Sequence, residues 1–287
     1  MVTTPVVSTE EMASVSVAET VDGQEEMLGE ILSTFNITVK QCRTSFEGSE
    51  ALNKLASYVG EHWDSFQDLW LTFKRGLQGR NSITKFLDRY PPEDVSYICN
   101  LCIRMKELAF LSNYHYAKAP KYQLFAEVSR QPVAQAFIGG EWFERYLFTE
   151  VQVVFNQYCA DCQCVKHLRC WNDTVIRLPD QKEAELDLFF EVDGLLFWIE
   201  AKSADYQHHI EKYNRMAKTI GLPQKQVMLV CLDLKETACM SLTMIYPYLT
   251  VLNPQILRLT LRCLFCEAFG EPPKTLPEEV ITKELQM

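Results

Sequence analysis

Ala184-Glu185-Leu186-Asp187-Leu188-Phe189-Phe190-Glu191-Val192-Asp193-Gly194-Leu195-Leu196-Phe197-Trp198-Ile199-Glu200-Ala201-Lys202 decides the fold. It reads as two β-rich runs meeting at Asp193-Gly194, a dipeptide suited to the two left-handed positions of a tight hairpin turn. That turn fixes the register: Phe189 falls opposite Trp198, Asp187 opposite Glu200 and Glu185 opposite Lys202, all on one face because side chains alternate along a strand. The reverse face collects Leu186, Leu188, Phe190 and Val192 against Leu195, Phe197, Ile199 and Ala201. It is entirely apolar and reads as core.

Directly opposed strand residues stand roughly 5 Å apart at Cβ, where two carboxylates repel unless something positive lies between them. Asp187 and Glu200 therefore read as a clamp for a divalent cation. Mg²⁺ or Mn²⁺ suits the pair, because hard cations take carboxylate and water oxygens and no His or Cys belongs to it. Lys202 points the same way and would hold or activate a water. The competing reading is a solvated hairpin face with a Glu185–Lys202 ion pair.

Asp187, the hairpin and Ile199-Glu200-Ala201-Lys202 resemble the PD-(D/E)XK nuclease superfamily, although the proline and first Asp of the literal motif are not kept. Gly139-Gly140-Glu141-Trp142-Phe143-Glu144, Glu185-Leu186-Asp187 and Glu200-Ala201-Lys202 together resemble the nuclease domain of CRISPR-associated effectors activated by cyclic oligoadenylate. The likeness covers about residues 130–235 and does not extend to the nucleotide-sensing domain of those effectors. It implies a restriction-endonuclease-like α/β core of order αβββαβ on a mixed sheet, cutting DNA or RNA. It also implies the Ala201 carbonyl as a further metal ligand and Glu144 as the family's helix acid.

The residues lead to Glu144 independently. It shares a helix stripe with Phe137, Leu147, Phe148 and Val151, so it stands on a face that should meet the core. A carboxylate there needs a partner. Asp187, Glu200, Lys202 and Glu144 are thus the expected catalytic set, and Asp187, Glu200, Ala201 and Glu144 the expected metal ligands.

The pattern outward from this stretch divides the 287 residues into a 1–24 acidic tail, a helical portion over 25–130, the nuclease-like portion over 131–270 and a 271–287 acidic tail. Net charge is −10, which by itself argues against a nucleic-acid partner. Residues 1–26 hold six acids and no base and residues 271–287 a net −2, so the body between them is near neutral. No run of about 18 apolar residues spans a membrane, and the start lacks a signal-peptide pattern. A cytoplasmic protein is expected.

In the front portion, Leu52, Leu55, Ala56, Val59 and Trp63, then Phe66, Leu69, Trp70 and Phe73, recur at helical spacing and read as core. Ser82 to Leu87 reads as a short helix, and Asp94 as the cap of the next. An all-helical domain results, able to take a protein partner or a second copy of the chain. Tyr114-His115-Tyr116-Ala117-Lys118-Ala119-Pro120-Lys121-Tyr122 mixes aromatics with lysines, a composition suited to base stacking and phosphate contact, but reads first as a loop.

Beyond the hairpin, residues 205–220 form an amphipathic helix stopped by Gly221, Gln226 to Leu232 a buried strand, and Asn253-Pro254 the opening of a last helix. His208-His209 read as solvated. Eleven cysteines without an export signal read as thiols or metal ligands. Cys99/Cys102 and Cys263/Cys266 sit in helical patterns and read as core. Cys159, Cys162, Cys164 and Cys170 lie in a polar loop and offer four thiolates, a possible structural Zn²⁺ site. Two alternatives to the nuclease follow: a catalytically silent nuclease-like binding or assembly module, and a cysteine-centred zinc or redox sensor.

Overall fold

The computed structural model describes residues 21–44, 46–79, 81–162 and 166–269. In chain order the elements are α1 (Val21–Ser33), β1 (Thr38–Arg43), α2 (Glu50–Glu61), α3 (Trp63–Gln78), β2 (Ser82–Phe86), α4 (Pro92–Glu107), β3 (Leu111–Ala117), β4 (Gln123–Val128) and α5 (Pro132–Ala136). A kinked turn over Phe137–Glu141 leads into α6 (Trp142–Cys162). There follow β5 (Leu168–Arg177), β6 (Glu183–Val192), β7 (Leu195–Lys202), α7 (Ile210–Ile220), β8 (Val227–Cys231), α8 (Glu236–Ile245), β9 (Thr250–Leu252) and α9 (Pro254–Phe269).

Six strands form one mixed sheet in the order β1-β5-β6-β7-β8-β9, antiparallel as far as β7 and parallel from there to β9. Asp193 and Gly194 both take positive φ, 45° and 91°, so the β6–β7 hairpin turns as their identities require. Phe189 pairs with Trp198 and Leu188 with Ile199. Strand β8 alternates cleanly between the two sides: Val227, Leu229 and Cys231 join one core, Met228, Val230 and Leu232 the other.

The hairpin face expected to be polar is itself core. Phe189 and Trp198 are fully buried beside Leu28 and Leu32 of α1 and Tyr213, Ala217 and Ile220 of α7. The other side buries Phe190 stacked on Phe197 at 4.7 Å, under Leu147 and Phe148 of α6 and Phe265 of α9. Strict alternation also fails at one place, because Leu186 sits in the first of these cores and Leu188 in the second. Beside that break, Asp173 of β5 is left-handed, with φ 48°. It lies between the pairs Asn172–Leu188 and Thr174–Leu186.

The front portion is not all helical. Strand β1 forms the edge of the large sheet, and β2, β4 and β3 form a second, three-stranded antiparallel sheet. Ser82–Phe86 is extended because Ile83 and Lys85 turn inward while Ser82, Thr84 and Phe86 turn out, a period of two rather than 3.6. The 114–117 tract is likewise strand, with Tyr114 and Tyr116 packed inward and His115 outward. Trp70 and Phe73 are core, and Trp63 is half-buried, stacked on Trp142 at 4.9 Å and donating its indole N–H to Asp233 at 2.9 Å. The 1–24 tail, apart from the first residues of α1, and the 271–287 tail lie outside the described residues.

Helices α2 and α6 pack closely enough that a Cβ on Gly60 would stand 2.5 Å from the Tyr146 ring. Helix α9 opens as its sequence dictates, with Pro254 first and Asn253 Oδ1 accepting the N–H of Ile256 at 3.1 Å. Arg258 then forks onto the buried Glu150 carboxylate, tying α9 to α6.

Candidate functional site

The β6–β7 ladder ends at Leu188–Ile199, and Asp187 and Glu200 are the residues that follow along each strand at the open end of the hairpin. The ladder is replaced there by side chains. Asp187 Oδ2 accepts the backbone N–H of Ala201 at 2.8 Å. Lys202 Nζ donates to Glu200 Oε1 at 2.7 Å and to the Ala201 carbonyl at 3.0 Å, and stands 3.5 Å from Asp187 Oδ2. The ammonium thus sits between the two acids and supplies the positive charge that their opposition demands.

Lys202 does not face Glu185. Glu185 pairs with Val175 of β5 and is exposed, so the expected Glu185–Lys202 ion pair is replaced by one to Glu200 and Asp187.

Glu200 is 3 % exposed, and its second oxygen, Oε2, is buried without a hydrogen-bond partner. A buried carboxylate oxygen left bare is costly, by roughly 1–3 kcal/mol or more. It marks a place where an external donor or cation would be gained, on a carboxylate that Lys202 already holds through Oε1 and beside which the Tyr213 phenol is raised.

Glu144 stands in the first turn of α6. Burial, then the charges of Asp187, Asp173 and Glu141, push its carboxyl up to about 9, with Lys202 opposing. Burial and the Glu200 charge push Asp187 up to about 7 against the pull of Lys202 and the Ala201 N–H. Burial works to lower Lys202, but Glu200 and Asp187 outweigh it and hold the ammonium above the usual lysine range. The common cause is several acids sharing one cation in a poorly hydrated corner.

Two contributors escaped the sequence reading. Tyr213 of α7 lies with its ring centroid 5.1 Å from Lys202 Nζ, and burial and the Glu200 charge raise its phenol above the ordinary range. Only its place on an inward helix stripe was legible. Asp173 pairs with Arg43 at 3.3 Å, and its charge helps to raise the Glu144 carboxyl. The usable signal was Asn172-Asp173, two residues tolerant of left-handed backbone inside an apolar strand.

Among the described residues, no three His, Cys, Asp or Glu side chains stand grouped as a ready-made metal site. Asp187 and Glu200 supply two, and the Ala201 carbonyl is a backbone atom. Of the cysteine quartet, Cys159 and Cys162 belong to the last turns of α6 rather than to a loop, and Cys164 lies outside the described residues. Cys170 is buried in β5, where burial lifts its thiol well above the ordinary value and favours the protonated form. Cys102 is core, whereas Cys263 is exposed. His208 and His209 are exposed before α7.

No helix among the described residues is long and apolar enough to cross a membrane. No family model matches the chain, and no curated protein matches it. Among solved structures, Can2 from Sulfobacillus thermosulfidooxidans, in complex with cyclic tetra-adenylate (cA4), superposes with a TM-score of 0.53 at 16 % identity, over 82 % of this chain and 59 % of that one. Protein VC1899 from Vibrio cholerae gives a TM-score of 0.49 at 18 % identity, over 84 % and 61 %. The chain spans about three-fifths of the length of each. At this identity the likeness concerns fold, and the chain shares the fold of Can2 over most of its described length.

Proposed function

We propose that the chain is a metal-dependent nuclease of PD-(D/E)XK type. The observation that carries the reading is the bare, buried Oε2 of Glu200 beside Asp187 and Lys202, at the open end of a hairpin inside an αβββαβ core. The fold shared with a protein solved with cA4 agrees with the sequence resemblance to nuclease domains of cyclic-oligoadenylate-activated effectors.

The donor set is all oxygen and suits Mg²⁺ or Mn²⁺. Asp187, Glu200 and the Ala201 carbonyl would hold the ion, with Glu144 beside them. When bound, it would polarise the scissile phosphate and lower the pKa of a coordinated water. The chain's own residues do the rest. Lys202, whose ammonium lies between the two acids, would serve the attacking water or the developing negative charge. Tyr213 limits how far that ammonium can swing. Glu144, protonated near neutrality in the ion-free protein, would give up its proton more readily beside a bound cation.

Lys202 in its ion-paired position also suits a catalytically silent binding module. Incubating the protein with single- and double-stranded DNA and RNA in Mn²⁺, with and without cA4, tests the choice. Cleavage lost on Asp187→Asn supports the nuclease. Absence of cleavage on all four substrates, or cleavage that survives Asp187→Asn, overturns it.

A further inference from the structure

The three-stranded sheet presents an outward face unlike the rest of this acidic protein. Ser82, Thr84 and Phe86 of β2 and Asn113 and His115 of β3 point out on either side of Phe125 and Glu127 of β4, and all but those two, which are half-buried, are exposed. Phe86 is 60 % exposed, on a strand whose inward residue Ile83 is 6 % exposed. The β3–β4 loop is folded onto the end of β2, where the Leu87 N–H donates to the Tyr122 carbonyl at 2.8 Å. This contact gathers Phe86, Asp88, Arg89, Pro120 and Lys121 around a concavity of about 470 Å³.

Charge is segregated in the same place. Residues 81–90 and 111–128 carry four lysines and arginines, Lys85, Arg89, Lys118 and Lys121, against two acids, Asp88 and Glu127, in a chain of net charge −10. Lys85 is spent on Asp68 and Tyr90 beneath the sheet, whereas Arg89, Lys118 and Lys121 are exposed around Phe86. An exposed aromatic ring with free cations at its edge meets the two demands of a single strand, a π-face for a base and positive charge for phosphate. Asp88 in the concavity can accept from a base amino group.

We propose that this face docks single-stranded nucleic acid, with one base stacked on Phe86 and neighbouring phosphates on Arg89 and Lys121. The inference rests on nucleic acid being the substrate, and it places the first grip on that substrate away from the acidic site. A duplex hides its base faces, so it is held less tightly.

Fluorescence anisotropy with labelled oligothymidylate and oligouridylate of about sixteen nucleotides, the upper range of single-strand site sizes, tests it with EDTA present to stop cleavage. Phe86→Ala should weaken binding about tenfold, as loss of one stacked base does. Arg89→Ala with Lys121→Ala should flatten the dependence of log K on log salt by about 1.4, at about 0.7 per phosphate contact on a single strand. Lys54→Ala, remote on α2, should change neither. Melting temperatures equal to wild type show that these surface variants are folded.

Wild-type protein that binds neither oligonucleotide, or binds a duplex as tightly, overturns the proposal, as does unchanged affinity in Phe86→Ala. The two readings fail separately. Phe86-dependent binding without cleavage in Mn²⁺ refutes the nuclease and keeps the docking face, whereas Asp187-dependent cleavage with Phe86-independent binding does the opposite.

Discussion

Asp187 caps the backbone of Ala201: its carboxylate takes the Ala201 N–H at 2.8 Å, one residue past Glu200. The same oxygen therefore serves strand geometry and the proposed chemistry, and two substitutions separate those roles. Asp187→Asn keeps an acceptor for that N–H and should melt within a few degrees of wild type. Asp187→Ala leaves the N–H bare and should lose about 1–3 kcal/mol. Both should lose cleavage, by at least about a hundredfold, as sites built on preorganised charge do. Melting curves beside oligonucleotide cleavage give the answer, and an Asn variant as destabilised as the Ala variant contradicts the assignment.

Glu144 sets a pH dependence. With a native carboxyl near 9 and an unfolded value of about 4.3, the folded chain keeps a proton that the unfolded chain has released. Its stabilising share is complete below the unfolded value and disappears as pH rises through the native one; Asp187, near 7, adds the lower part of the same decline. The ion-free protein should thus be less stable at about pH 8.5 than at about pH 5. Glu144→Gln should flatten that slope. Urea midpoints in EDTA at the two pH values measure it, and equal slopes in both proteins rule the mechanism out.

Lys202 and Glu200 should respond in opposite directions. Lys202→Ala strips the shared cation from two carboxylates whose side chains are only 17 % and 4 % exposed, so the ion-free fold should lose about 3 kcal/mol. Glu200→Gln removes one of the two repelling charges and should leave stability unchanged or higher. Added Mn²⁺ should restore the Lys202 variant and leave the Glu200 variant indifferent. Thermal scans with and without Mn²⁺ decide this. Destabilisation by Glu200→Gln would mean a purely structural salt bridge.

Gly60→Ala probes the joint between α2 and α6. The added methyl would meet Tyr146 at 2.5 Å, and overpacking of this kind costs about 1–3 kcal/mol. Chemical denaturation reads the loss directly. A companion Tyr146→Leu should recover part of it by vacating the ring, and a Gly60→Ala protein as stable as wild type would show that the helices separate freely.

The hairpin was legible because Asp-Gly fixes its own turn and the alternation on either side is long. The helix after the hairpin and the strand Val227 to Cys231 followed from the stop at Gly221 and an unbroken apolar run. Strands β1 and β2 were not legible, since Thr38–Arg43 and Ser82–Phe86 are six and five residues with one buried side chain each, Cys42 and Ile83, too short to show a period. The partner of Lys202 was misjudged for a related reason. Strict alternation carried Glu185 across to it, but the break between Leu186 and Leu188 turns Glu185 away. Tyr213 stayed hidden because an inward aromatic on a helix stripe looks the same whether it packs or assists.

The place of β1 has a further consequence, for the order in which the sheet is made. Its partner β5 lies far along the chain, with Arg43 and Asp173 130 residues apart in sequence. The hairpins β5–β6 and β6–β7 close over short loops, whereas β1 must wait for a long closure whose entropy no local contact offsets. A ribosome therefore releases β1 long before there is an edge to receive it. The large sheet should grow outward from the Asp193-Gly194 turn, and β1 should be among the last strands to gain protection from hydrogen exchange during refolding.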